Sequence, residues 1–126
     1  MTLRNVLRVN ALSSGLTGIL LAIVPGLFSN LFEVSSTAPF VGVGVFLIAF
    51  AVVVGIVSLG SSPGRTAVLG ITLADSAWVL ASIALVLSPV AMSGLGKVMV
   101  LAVAGWVLLM AALQYRGVKE LSTSAN

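Results

Sequence analysis

The chain has no cysteine and no histidine, and only six basic and three acidic residues. Without cysteine there is no disulfide, no thiol redox chemistry and no cysteine-pair quinone reduction. Without histidine the usual zinc sites and bis-histidine haem ligation fall away. Charged residues make up 7% of the 126 positions, against roughly 25% in a soluble domain. There is no basic run or stripe, so nucleic acid is not expected as a partner. No nucleophile–base pair or metal-ligand set stands out either. The sequence is therefore read as non-enzymatic, with no catalytic residue, no metal ligand and no cofactor.

What the chain has instead is hydrophobic length. It is 60% hydrophobic, with a mean hydropathy of +1.25. Such a chain cannot cover its surface with polar groups in water, but lipid tails solvate apolar side chains. Four apolar runs, at about 6–28, 39–59, 66–88 and 97–115, each match a hydrocarbon core roughly 30 Å thick. The expected fold is all-α: one integral membrane domain over 1–126, with four transmembrane helices running up-down-up-down. The first run follows Arg4 and Arg8 and has the outline of a signal peptide. It lacks a clean Ala-x-Ala site and is long for a signal core, so it is read as a span. Arg4, Arg8, Arg65, Arg116 and Lys119 fall on one side of this arrangement, and Lys97 falls on the other. That bias places both termini in the cytoplasm and argues against dual topology.

The connections are short. Leu27 to Val34 reads LFSNLFEV. It fits either a short helix in the membrane surface, with Ser29, Asn30 and Glu33 on its polar side, or a loop with buried phenylalanines. Ser35 to Pro39 has the residues of a helix start. Gly60 to Arg65 has the composition of a tight turn. Pro89 to Gly96 is a third connection, and Arg116 to Asn126 a polar tail.

Small residues form stripes at helical spacing. Ala11, Gly15, Gly18 and Ala22 line the first span beside Asn10, Ser14 and Thr17, a broad face expected to look inward. Gly44, Ala51, Gly55 and Ser58 mark the second, interrupted by Ile48. Ala67, Gly70, Ala74, Ala77, Ala81 and Ala84 mark the third and are expected to be a packing seam. Next to that seam lie Asp75, Trp78 and Ser82.

Asp75 is the one acid inside a span. An ionised carboxylate in hydrocarbon costs about 2.5–3.5 kcal/mol even on insertion scales. At 1.5 Å per residue, Asp75, Ser14, Thr17 and Trp106 all come out about 12–16 Å from the cytoplasmic ends of their spans. They are expected to share a layer, with Asn10, Ser14, Thr17 and Ser82 as the groups available to the acid. Asp75 is then either protonated glue between spans or a proton- or cation-binding group in a small cavity. Trp78 and Trp106 either fill volume opposite the small stripes or wall a pocket for a flat or cationic ligand.

Asn10-Ala11-x-x-Ser14, Asp75-x-x-Trp78-x-x-x-Ser82 and Leu113-Gln114 before Gly117 make most of the chain resemble small, uncharacterised bacterial inner-membrane proteins of four helices. The resemblance implies that fold and that membrane, and no activity or cofactor. The small multidrug exporters, also of four spans, carry a glutamate in the first helix and pair antiparallel. The first span here has no acid, and the charge bias disfavours such pairing.

The sequence thus leads to an accessory, assembly or small hydrophobic-ligand-binding bundle. Its candidate ligand- or proton-binding residues are Asp75, Asn10, Ser14, Thr17, Trp78, Ser82 and Trp106. The alternative is a small proton-coupled transporter with Asp75 as its intramembrane coupling site. Expected partners are the lipid bilayer and either another membrane protein or a second copy.

Overall fold

A computed structural model describes residues 2–60 and 63–124, the side chains of 121–124 excepted. Ser61 and Ser62, the middle of the expected turn, lie outside the described residues. The described residues form an all-α structure of five helices, with no strand among them. These are α1 (Leu3–Ile23), α2 (Pro25–Phe32), α3 (Ala38–Leu59), α4 (Arg65–Leu87) and α5 (Gly94–Ser124). Four of them, α1, α3, α4 and α5, are long and apolar enough to cross a membrane, which marks a multi-pass membrane protein.

The bounds of two helices differ from the apolar runs. α1 ends at Ile23, because Pro25 cannot donate the hydrogen bond that would continue it. The chain restarts there as α2, a fifth helix, and so takes the helical option left open for this stretch. Thr2 caps α1 by accepting from the Asn5 amide. α5 does not stop at Tyr115 but runs to Ser124, about 46 Å at the helical rise. Arg116 and Glu120 pair across one turn of this extension at 3.6 Å. The expected polar tail is therefore largely helix.

Around the structure the long helices follow one another as α1, α3, α4, α5, with the tightest contact between α1 and α3. Gly18 and Gly44 make that contact possible. A Cβ built on Gly18 would stand 2.7 Å from the Gly44 carbonyl oxygen, and one on Gly44 would stand 2.7 Å from that of Gly18. Only hydrogen fits at either position, so the backbones touch. Gly15 against Ala51 continues the seam. The expected stripe of α4 behaves differently. Ala67, Gly70, Ala74, Ala77, Ala81 and Ala84 are all exposed, and a Cβ on Gly70 would meet nothing within 4 Å. α4 turns Val68, Ile71, Asp75, Val79 and Ser82 inward instead. Larger side chains fill the wider space beside α5, while most of the small stripe is left outside.

Three tiers succeed one another along the helix axes. At the end that holds the start of α1, Leu7, Val54, Val68, Ile71 and Val118 close into a dry cluster. Arg4 ties this end together by donating to the Gly60 carbonyl at 2.6 Å. A polar layer follows, and then a cavity. Beyond the cavity α2 packs on the opposite end. Phe28 and Phe32 of α2 both meet Phe40, at ring distances of 6.5 and 5.2 Å, and Phe32 covers Gly96. Ser29, expected on the polar face of α2, is buried and donates to the Val34 carbonyl. Ser93 joins this end to the start of α5 by donating to the Leu31 carbonyl at 2.7 Å.

Candidate functional site

The polar layer is built by three side chains from three helices. Asp75 of α4, Asn10 of α1 and Gln114 of α5 are 4%, 2% and 0% exposed. Asp75 Oδ2 accepts from Asn10 Nδ2 and from Gln114 Nε2, each at 3.0 Å. Asn10 Nδ2 also donates to Gln114 Oε1 at 2.7 Å, which closes a triangle. The second Gln114 proton reaches Thr72 Oγ1 at 3.2 Å, and Ser14 donates to Asn10 Oδ1 at 3.2 Å. Both amide groups are thereby used at each end. Buried amides without partners would each cost about 1–3 kcal/mol, so the closed triangle holds the three helices in one register.

Every group that reaches the carboxyl donates to it; neither amide carbonyl is turned towards it. Both bonds fall on Oδ2, and Oδ1 has no hydrogen bond to a described residue. Among the described residues no basic side chain stands in the layer: Arg8 is exposed, and Arg65 opens α4 far below. Among the described residues no three His, Cys, Asp or Glu gather to hold a metal.

Asp75 also forms part of the wall of a cavity of about 370 Å³. Ser13, Ser14 and Thr17 border it from α1, Phe46, Leu47 and Phe50 from α3, Ala74 and Trp78 from α4, and Trp106 with its neighbours from α5. It is partly open to the outside, and single contacts stand at its sides. Phe46 and Trp78 stack across the α3–α4 side, with ring planes 5° apart and centroids 6.4 Å apart. On the α1–α5 side Trp106 Nε1 donates to Ser13 Oγ at 3.0 Å. The α3–α4 pair is the least closely packed of the neighbouring long helices. Phe46 and Trp106 remain 54% and 43% exposed, so both aromatic closures face the outside as well as the cavity. Trp78 Nε1 is buried with no acceptor among the described residues.

The sequence-derived candidates separate into three groups. Asn10 meets Asp75 directly. Ser14, Thr17, Trp78 and Trp106 line the cavity beside it, and Ser14 reaches the acid only through Asn10. Ser82 stands apart: its hydroxyl donates to the Trp78 carbonyl of its own helix, and it does not border the cavity. Of the four groups expected to be available to Asp75, Asn10 bonds it directly, and its second partner is Gln114 in place of a hydroxyl. Gln114 was missed because it precedes Tyr115 and Arg116, which read as the exit from the membrane. Its spacing was the available signal, since Ala104, Ala111, Gln114 and Val118 share one buried face of α5.

Chemically, the arrangement offers one carboxyl, held by two amides, at the edge of an aromatic and aliphatic chamber. No protein-family model, curated protein or solved structure matches the chain, so the functional reading rests on this geometry.

Proposed function

We propose that this is a non-enzymatic integral membrane protein that binds a small, mainly hydrophobic ligand in the chamber beside Asp75. One observation carries the reading: a buried carboxyl, oriented by Asn10 and Gln114, borders a cavity of about 370 Å³ instead of ending in packed side chains. Ligand sites in general are apolar hollows with a few placed polar groups. In this reading the four long helices cross the inner membrane. Both termini lie in the cytoplasm, on the side where Arg4, Arg8, Arg65, Arg116 and Lys119 collect.

The test uses the two tryptophans, which both border the cavity. In nanodiscs, bromobenzene should quench their fluorescence saturably. Ala74→Phe, which puts a ring into the same space, should abolish the saturable part. Quenching that rises linearly and is the same in both proteins would sink the reading.

A second reading, proton-coupled transport with Asp75 as the coupling site, is favoured by the position of the acid. It stands between a cavity on one side and the closed cluster of Leu7, Val54, Val68, Ile71 and Val118 on the other. Transport requires that cluster to open. Liposomes carrying a pH-sensitive dye would show substrate-driven proton flux with wild type and none with Asp75→Asn.

A further inference from the structure

The chamber has a chemical bias beyond being apolar, and it rests on the ligand-binding reading above. Its one acidic group has an oxygen, Oδ1, without a hydrogen bond to any described residue. The groups bonded to that acid are neutral, and among the described residues no basic side chain stands in the layer or borders the cavity. The walls beside it are aromatic: Phe46 and Trp78 stack on one side, and Trp106 closes the other. Aromatic faces carry negative potential and attract cations, most strongly where water is excluded. A carboxyl bonded only by donors presents the same sign. The acid and the aromatic rings that border the chamber therefore both favour a cation, and among the described residues no basic side chain stands beside them to balance the carboxyl.

We propose that the ligand is a lipophilic organic cation, an amine or quaternary ammonium with a hydrocarbon body, whose charged nitrogen lies between Asp75 and the aromatic walls. The hydrocarbon body fills the aliphatic part of the chamber, formed by Leu47, Val103 and Val107. Such a molecule dissolves in the bilayer, and the loosely packed α3–α4 side, closed by Phe46 on Trp78, is its route in.

Two probes of the same shape separate charge from hydrophobicity. Benzyltrimethylammonium and neopentylbenzene differ by a nitrogen in place of a carbon. Each is titrated into the protein in nanodiscs while the intrinsic fluorescence of Trp78 and Trp106 is followed, with binding corrected for partition into empty discs. The cation should bind about tenfold or more tightly than its neutral twin, as expected for a carboxylate with aromatic faces. Asp75→Asn should erase that preference, so that the two probes bind with similar affinity. Phe46→Leu alters an exposed wall residue without touching the polar layer. It should weaken the cation several-fold, by a larger factor than the neutral probe.

Equal or tighter binding of neopentylbenzene would overturn the cation assignment and leave the ligand-binding reading standing. So would a preference that survives in Asp75→Asn. No saturable change with either probe would overturn both.

Discussion

Gln114 has the most to lose of any single side chain. Its oxygen accepts from Asn10, its nitrogen donates to both Asp75 and Thr72, and it is wholly buried. Gln114→Leu should lower stability by about 1–3 kcal/mol, because it takes a partner from Asn10 on α1 and from Asp75 and Thr72 on α4. A thermal melt in mild detergent reads this loss. Paired with Asn10→Ala in a double-mutant cycle, Gln114→Ala should show a coupling of about 0.6–1.7 kcal/mol, the range found between membrane helices. Ser82→Ala is the control. Its hydroxyl serves only the carbonyl of its own helix, so the melt should move by less than about 0.5 kcal/mol.

The same residues show how far the site was legible. Asp75 and Asn10 stood out because strong polar groups inside apolar runs have few other uses. The depth estimate then went astray at one point, the end of α5. With that helix ended at Tyr115, Trp106 came out level with Asp75. Measured from Ser124, Gln114 instead lies about 15 Å from the helix end, level with Asp75 at about 15 Å from Arg65. Composition marks where a chain becomes polar. It does not mark where a helix stops, because Arg116, Lys119 and Glu120 are themselves good helix formers.

Among the elements, the contrast between glycines is the sharpest test. Gly18→Ala forces a methyl against the Gly44 backbone and should cost about 1–3 kcal/mol by overpacking. Gly70→Ala and Gly105→Ala place theirs in open space, and each should gain up to about 1 kcal/mol of helix propensity. The same detergent melts would show both signs. Periodicity exposed the stripes of α1 and α4 equally well, yet only the first became a seam. A stripe permits close approach, and the partner decides whether it happens. α1 found Gly44 and Ala51 across from Gly18 and Gly15, whereas α4 found no such face on α5. The short α2 could not be settled from sequence because eight residues give too little periodicity to separate helix from loop. Phe40, distant in the chain from Phe28, decides it by stacking on Phe28 and meeting Phe32 edge-on. Glu33, which ends α2 at φ 57°, sits where glycine is more comfortable.

For the whole molecule, the absence of cysteine makes topology directly measurable. Glu33→Cys and Arg65→Cys introduce single thiols at exposed positions on opposite ends. In intact cells with a permeabilised outer envelope, an impermeant maleimide should label the first and reach the second only after lysis. Labelling of both from outside would contradict the proposed crossing.

The tiers described above also differ in compliance. The end tied by Arg4 and the Leu7–Val118 cluster is solid, while the opposite half surrounds empty volume and is shut by two aromatic contacts. The far end is bridged in its turn, since α2 holds α3 through Phe40 and α5 through Ser93. Stiffness is therefore lowest at the waist of the molecule, where α3 and α4 have the least contact. Amide exchange should then run faster around Trp78 than around Val68 on the same helix.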